Sequence, residues 1–192
     1  MKTIKKLLFC LMLIPFLSSC QYNEMVEMQE KVEAQWGQVE NVYQRRLDLI
    51  PNLVETVKGY AKHEEATLTG VIEARAKATS IQLNVNDLTE ENLAKFQEAQ
   101  GAITQALNKL MVSHEQYPEL QAAPLFRDLK AQLEGTENRI STERNRFNEV
   151  AREYNTYIKK FPNNFIAGWF DFNAKPYFKA DAGSEKAPKI QF

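Results

Sequence analysis

The 192-residue chain carries 24 basic and 25 acidic side chains, which gives it a formal net charge of −1. Because phosphate contacts need a concentrated basic surface, this balance argues against a nucleic-acid-binding protein. The chain is 44% hydrophobic and 26% charged, with seven Gly, seven Pro and many good helix formers. This composition predicts an all-α domain and excludes a protein that spans the membrane several times.

The N-terminus has the pattern of an export signal. Three Lys residues precede the apolar run Leu7–Leu17, which is shorter than the roughly 20 residues that a membrane-spanning helix needs. The sequence Leu-Ser-Ser-Cys at 17–20 then resembles a bacterial lipobox, in which the Cys sulfur receives a diacylglyceryl group and cleavage makes that Cys the new N-terminus. We therefore predict a lipoprotein-type signal peptide over residues 1–19 and lipidation at Cys20. An ordinary signal peptide with a chance cysteine is the alternative.

Side chains that could catalyse a reaction or hold a metal are sparse. If Cys10 leaves with the signal and Cys20 carries lipid, residues 21–192 contain no cysteine, which excludes disulfides, thiol catalysis and cysteine-based zinc sites. The two histidines, His63 and His114, lack the Glu-x-x-His spacing of bundle di-metal sites. The chain also has no glycine-rich phosphate loop or serine nucleophile elbow. We predict that the protein is not an enzyme and that it has no catalytic residues, metal or cofactor.

Apolar residues recur every three or four positions from Met25 to Ile72, a spacing typical of an amphipathic helix packed in a bundle. The pattern stays in phase across Pro51. It therefore predicts one bent helix, or two nearly collinear helices, over about residues 23–79. A proline inside a helix removes one backbone hydrogen bond and clashes with the preceding turn, so we expect a kink at this position.

Two further apolar stripes predict helices over about residues 90–113 and 119–160. Together the stripes predict an all-α fold, an antiparallel bundle of about four helices with a very long, kinked first helix. Residues 181–192 are predicted to form a flexible C-terminal tail.

Four charged side chains fall on the apolar stripes: Arg46, Glu64, Arg75 and Glu143. An unpaired buried charge costs several kcal/mol, so such side chains should meet partners. We favour a buried network, with Arg46 or Arg75 paired to Glu143, that fixes the register of the helices and has no catalytic role. In the alternative interpretation, the grooves widen near Pro51 and the charged groups extend outward to water.

A polar stripe lies opposite the apolar face of the last long helix. It consists of Asn138, Asn145, Asn148, Arg152 and Asn155, which share an arc of roughly 100°. Such a face either meets water or forms a polar groove, where its amides would bond to a partner or to a neighbouring protomer.

The segment 161–178 is dense in aromatic residues: Phe165, Trp169, Phe170, Phe172, Tyr177 and Phe178. Buried, these side chains would close one end of the bundle. Exposed, they would form a membrane-interface or partner-docking patch. Because aromatic anchors carry most of the binding energy of interfaces, we predict that this segment, rather than the amide stripe, is the partner surface.

Five blocks of the sequence, in this order, resemble the characteristic blocks of the LemA family. They are RRLDLIPNLVETVKGYAKHE (45–64), EARAKA (73–78), EQYPEL (115–120), LEGTENRISTERNRFNEVAREYN (133–155) and FPNN (161–164). The resemblance implies a membrane-attached bundle of about four antiparallel helices, which we assign to residues 20–180, and it supplies no molecular activity. Many members of the family carry a full transmembrane helix at the N-terminus, whereas this chain has a shorter segment that ends in Cys20.

These observations predict a membrane-anchored, non-catalytic helical scaffold or adaptor of the bacterial cell envelope. Its acyl anchor would hold it to the membrane outside the cytoplasm, on the periplasmic face in a Gram-negative cell. The predicted partner is an envelope protein, with no nucleic acid, and a homo-oligomer is left open. The alternative is a periplasmic lipoprotein that binds a peptide or glycan, which a deep cavity lined by Asn145, Asn148 and Arg152 would favour.

Overall fold

The computed structural model of the chain describes residues 2–60, 65–113 and 116–180; for residues 2–20, Asn86 and Ser113 it describes the backbone alone. This part of the chain contains six α-helices and no strand, which confirms the all-α prediction. The helices are α1 (Lys2–Tyr60), α2 (Glu65–Thr79), α3 (Glu90–Ser113), α4 (Pro118–Ala122), α5 (Pro124–Lys159) and α6 (Asn163–Trp169). A 3-10 turn at Val85–Asp87 precedes α3. The predicted flexible tail, 181–192, lies outside the described residues.

The bundle is built from two helix pairs. Helix α1 packs along α5, and α2 packs along α3. The first pair is antiparallel, because Gln35 of α1 bonds Glu143 of α5, whereas Arg46, further along α1, bonds Glu137, which comes earlier in α5. The prediction of an antiparallel bundle with a very long first helix is therefore confirmed.

Helix α2 lies beside α1 and does not extend it. The Nε of Arg75 donates a hydrogen bond of 3.0 Å to the backbone carbonyl of Leu47. In two collinear helices these residues would lie about 42 Å apart, at roughly 1.5 Å of rise per residue. The prediction of one bent helix or two collinear helices over residues 23–79 is therefore wrong, and the chain reverses direction between α1 and α2.

The predicted last helix, 119–160, is also divided. Ala123 has an extended backbone with ψ of 120°, and it separates α4 from α5. Pro124, the first residue of α5, explains this break, since proline disfavours the helical conformation in the residue before it and is well suited to the first helical position.

The apolar core consists of two clusters that lie one after the other along the bundle. The first, around the N-terminal part of the described bundle, includes Met25, Trp36, Tyr43, Phe147, Ile166 and Phe178. The second, at the opposite end, includes Leu47, Leu53, Val57, Leu110, Phe126 and Leu133. On α1 the boundary between them falls between Tyr43 and Leu47. Arg46 occupies this boundary.

The contact between Arg75 and Leu47 explains how α1 continues through Pro51. In an α-helix the N–H of residue 51 would donate to the carbonyl of Leu47, four positions earlier, but proline has no N–H. The Arg75 side chain, which reaches over from α2, supplies the missing donor to that carbonyl. Because of Pro51, the Leu47 carbonyl has no backbone donor at position 51, and its hydrogen bond to Arg75 helps to hold α2 against α1.

We expect Arg75→Met to lower the free energy of unfolding by about 1–2 kcal/mol, because it leaves the Leu47 carbonyl without a donor. In a Pro51→Ala background the same substitution should cost less, since the alanine N–H then bonds that carbonyl. Urea unfolding of the wild type, both single variants and the double variant measures the coupling between the two positions. An equal cost of Arg75→Met in both backgrounds would show that the two residues are independent.

Candidate functional site

Arg46 lies at the centre of a polar layer that crosses the core. Its side chain is 2% exposed, yet it carries a charge. Nη1 donates to Glu137 Oε2 at 2.9 Å and to Thr104 Oγ1 at 3.0 Å. Nη2 donates to the backbone and side-chain oxygens of Gln100. Helices α1, α3 and α5 are therefore tied together by one guanidinium group.

The surroundings of Arg46 reduce the cost of burying its charge. Glu137 is 50% exposed, so its carboxylate stays partly hydrated while it balances the guanidinium. The Cζ atom of Arg46 lies 5.2 Å from the centre of the Tyr43 ring, within cation–π range. The Nε of Arg46 has no hydrogen-bond partner among the described residues. Because two of the three nitrogens are bonded in fixed directions, the layer aligns the three helices in one register.

The structure does not pair the predicted charges with one another. Glu143 accepts from Gln35 Nε2 at 2.7 Å and from Arg146 at 2.9 Å. Arg75 bonds the Leu47 carbonyl, and Glu64 lies outside the described residues. The predicted pairing of Glu143 with Arg46 or Arg75 is therefore wrong.

The acidic partner of Arg46 is Glu137. The antiparallel register of α1 and α5 sets Glu137 opposite Arg46, about 9 Å along the helix from Glu143. A signal for Glu137 was present in the sequence, because it lies four residues after Leu133 and three before Ile140, on the apolar stripe.

A groove with a volume of about 500 Å³ opens beside the polar layer. Side chains of α1, α3 and α5 and the end of the described chain line it, among them Arg46, Gln97, Gln100, Glu137, Arg144 and Lys179. It is not lined by Asn145, Asn148 or Arg152, the residues named for the ligand-binding alternative. The groove thus combines apolar surface with amide groups and charges of both signs, and the end of the described chain forms part of its wall.

That segment, residues 174–180, is here called the C-terminal strap. It belongs to no helix or strand, and two amides of α5 bond it. Asn148 accepts from the Phe178 N–H at 2.8 Å and donates to the Phe178 carbonyl at 3.0 Å. Asn155 makes the same pair of bonds with Lys175, each at 2.8 Å. Each amide thus bonds the strap as a neighbouring strand would.

The spacing of Asn148 and Asn155 along α5 matches the spacing of Phe178 and Lys175 along the strap. Asn148 and Asn155 are seven positions apart, about 10.5 Å along a helix, and three residues of extended chain cover a similar length. Phe178 of the strap is buried, with its ring centre 6.0 Å from that of Trp36 and 5.4 Å from that of Phe147. The sequence suggested that the amide stripe either faces water or binds a partner. Asn148 and Asn155 do neither, because both bond the strap of the same chain. Asn138, Asn145 and Arg152 are exposed.

The aromatic segment is divided between the core and the surface. Phe161, Phe165, Trp169 and Phe170, here called the aromatic end, are exposed, and Trp169 is 80% exposed. Phe172 is half-buried, Tyr177 is exposed and Phe178 is buried in the strap. Ile166 and Ala167, rather than the aromatic rings of α6, face the core and close this end of the bundle.

The aromatic end lies beside the N-terminal part of the described bundle. The Tyr22 ring makes edge contacts with Phe170, at a centroid distance of 4.9 Å, and with Phe172, at 5.6 Å. Tyr22 is two residues after Cys20, whose side chain lies outside the described part. The exposed rings thus lie next to the predicted lipidation site.

Tyr154 is a buried phenol whose hydroxyl has no hydrogen-bond partner among the described residues. Burial disfavours the phenolate and raises the pKa of Tyr154 from 10.0 to about 12. The folded state therefore holds this proton more tightly than the unfolded state does. The resulting stability is fully present below pH 10.0 and is lost as the pH rises toward about 12.

We expect Tyr154→Phe to remove this part of the alkaline loss of stability without a loss at neutral pH, because the hydroxyl makes no hydrogen bond to any described residue. Urea unfolding at several pH values between 8 and about 12 measures it. Tyr60→Phe, at an exposed position, is the matched control and should retain the wild-type slope. A wild-type slope in Tyr154→Phe would contradict the assignment.

No helix in the described residues is both long enough and apolar enough to cross a membrane. Within the same residues, no group of three or more His, Cys, Asp or Glu side chains is arranged to hold a metal ion. His63 and His114 lie outside the described part of the chain.

Taken together, the fold and these contacts define an all-helical antiparallel bundle whose buried polar groups tie its own helices and its C-terminal strap together. The chain belongs to the LemA family, whose family model matches residues 35–192, and this confirms the resemblance seen in the sequence. The family assignment fits a membrane-associated protein.

Three relatives show how far the similarity extends. The chain is 28% identical over 187 residues to the magnetosome protein MamQ of Magnetospirillum gryphiswaldense, which covers 88% of this chain and 69% of the relative. It is 28% identical over 176 residues to magnetosome protein MamQ 1 of Paramagnetospirillum magneticum, covering 83% and 65%. It is 23% identical over 158 residues to protein LemA of Metamycoplasma hominis, covering 82% and 68%. The chain thus spans about two thirds of the length of these relatives, and their names assign them no enzymatic reaction.

Proposed function

We propose that this protein is a membrane-anchored, non-catalytic helical scaffold or adaptor of the bacterial cell envelope, held outside the cytoplasm by an acyl group on Cys20. The observation that carries the proposal is the shape of the bundle relative to the anchor. At about 1.5 Å per residue, the part of α1 from Tyr22 to Tyr60 is about 58 Å long, and α5 runs antiparallel along it. A rod attached at one end can place its other end up to about 58 Å from the membrane.

The use of the buried polar groups supports a structural role. Arg46, Asn148 and Asn155 are the kinds of side chain that could recognise a ligand, but each bonds another part of the same chain. The fit to a membrane-associated family supports attachment.

Metabolic labelling with a clickable fatty acid tests the anchor. We expect the wild type to be labelled and to sediment with the membranes, and Cys20→Ser to lose both properties, because one cysteine carries the acyl group. Cys10→Ser is the matched control, since Cys10 lies in the predicted signal peptide and should not alter the product. Equal labelling of the wild type and Cys20→Ser would contradict the proposal.

Photo-crosslinking in native membranes tests the scaffold. A photoreactive amino acid is placed in turn at position 125, exposed at the end of the bundle away from the aromatic end, and at position 145, in the exposed part of the amide stripe. A scaffold should give discrete protein adducts from at least one position, and these should disappear when Cys20→Ser removes the anchor. An adduct at twice the protein's mass would identify a homo-oligomer. Identical adducts with and without the anchor would contradict an anchored scaffold.

The groove beside Arg46 favours a second candidate, a lipoprotein that binds a peptide or glycan. The amide and charged groups in its lining suit hydrogen-bonding ligands. One of the lining residues is Arg46, whose Nε bonds no group in the described part of the chain. Thermal shift assays with short peptides and N-acetylated oligosaccharides distinguish the candidates. A ligand at about 100 times its Kd would stabilise the fold by about 2.7 kcal/mol, an effect that Gln97→Ala in the groove should weaken. No shift with either class would leave the scaffold as the supported function.

A further inference from the structure

The aromatic end is an exposed apolar surface with a defined position. Phe161 and Trp169 are 82% and 80% exposed, and the Phe161 and Phe165 rings contact each other with centroids 6.0 Å apart. The inner side of α6 is apolar and buried through Ile166 and Ala167, so the short helix is fixed to the bundle while its rings point outward. Large rings held outward on a packed helix mark an interaction surface.

The contact between Tyr22 and this surface indicates what the surface binds. The Tyr22 ring touches Phe170 and Phe172, and Tyr22 follows Cys20 by only two residues. The apolar run Leu7–Leu17 precedes that cysteine in the sequence. Whatever attaches the N-terminal segment to a membrane therefore brings the aromatic end to the membrane surface as well.

We infer that the aromatic end inserts into the interfacial layer of the lipid bilayer, beside the acyl anchor. The inference rests on the proposed membrane anchoring, and it replaces the prediction that this segment docks a protein. Trp and other aromatic side chains are enriched at the level of the lipid headgroups, where their rings are buried and their polar atoms stay hydrated. Lys159 and Lys160, exposed just before Phe161, are placed to meet lipid phosphates.

Insertion gives the aromatic end a mechanical role. The two acyl chains of a diacylglyceryl group on Cys20 are enough for stable attachment, so the aromatic end is not needed to keep the protein on the membrane. The aromatic end supplies a second contact with the bilayer, on the same side of the bundle as the anchor. Two contacts at one end fix the tilt of the rod, which the lipid anchor alone leaves free.

Tryptophan fluorescence tests the inference in the acylated protein, which begins at Cys20 after removal of the signal peptide. The chain has two tryptophans, and Trp36 is buried in the core while Trp169 is exposed. The difference between the spectra of the wild type and Trp169→Phe therefore isolates Trp169 without disturbing Trp36. The protein is reconstituted into vesicles of phosphatidylcholine, with or without bromine atoms near the acyl-chain carbonyls, and vesicle binding is measured by flotation.

We expect bromine to quench the Trp169 emission at least twofold, and vesicles to protect Trp169 from aqueous iodide. A tryptophan introduced by Leu125→Trp into the Trp169→Phe variant is the matched control, because position 125 is exposed at the far end of the bundle. Its emission should respond to iodide and not to brominated lipid.

Two results would overturn the inference, and they are distinguishable. If the protein floats with the vesicles but Trp169 responds only to iodide, the aromatic end faces water or a protein partner while the anchoring stands. If the acylated protein does not float at all, both the anchoring and the insertion are wrong.

Discussion

Arg46→Ala is expected to lower the free energy of unfolding by about 3 kcal/mol. The substitution removes a nearly fully buried guanidinium and takes the Arg46 donor away from the side-chain oxygen of Gln100, while Glu137 loses its counter-charge. The value lies at the low end for a broken buried ion pair because Glu137 is 50% exposed and can be rehydrated. For a chain of this length the loss corresponds to a decrease in Tm of about 6–12 °C.

Arg45→Ala is the matched control for this measurement. Arg45 is the adjacent residue with the same side chain, but it is exposed, so its loss should change stability by no more than about 0.5 kcal/mol. Glu137→Gln should fall between the two. Thermal and urea unfolding of the three variants decide the point. Similar losses in Arg46→Ala and Arg45→Ala would mean that the polar layer does not stabilise the bundle.

Phe178→Ala is expected to lower stability by about 3–5 kcal/mol, the range for a buried phenylalanine. Its ring lies between Trp36 and Phe147 in the first core cluster, and its loss would also weaken the two amide contacts of the strap. If the variant releases the strap while the helices stay folded, the loss is limited to the free energy of docking the strap.

Urea unfolding combined with limited proteolysis measures this effect. Phe165→Ala is the control, because Phe165 is an exposed phenylalanine and should cost less than about 1 kcal/mol. Asn148→Ala should increase cleavage within the strap, since it removes both bonds to Phe178. If Phe178→Ala behaves like Phe165→Ala, the strap does not contribute to the stability of the domain.

The sequence was sufficient for the fold class and for the faces of the helices. Periodicity reports which side of a helix is apolar, and it thereby identified Arg46 as a core residue. It does not report the direction in which the next helix runs. The apolar phase persisted through the reversal between α1 and α2, so two antiparallel helices were read as collinear. Without knowledge of that reversal, Arg75 could not be identified as the donor to the Leu47 carbonyl.

The remaining features depend on long-range register. Glu137 and Glu143 both lie at the apolar side of α5, and only the alignment of α5 with α1 selects Glu137 as the partner of Arg46. Whether the aromatic side chains of residues 161–178 are buried or exposed depends on the orientation of α6. This helix has only seven residues, which are too few for a clear periodic pattern. The seven-residue spacing of Asn148 and Asn155 was visible in the sequence. The sequence did not show that their partner is the strap of the same chain.

The height of the protein above a bilayer tests the central claim, an anchored rod that stands on its aromatic end. Neutron reflectometry of the acylated protein, from Cys20 onward, on a supported phosphatidylcholine bilayer measures the thickness of the protein layer. An upright bundle predicts a layer of about 58 Å, the length of α1 from Tyr22 to Tyr60. A layer of about 20–30 Å, the width of two or three packed helices, would show that the bundle lies flat and would contradict the account.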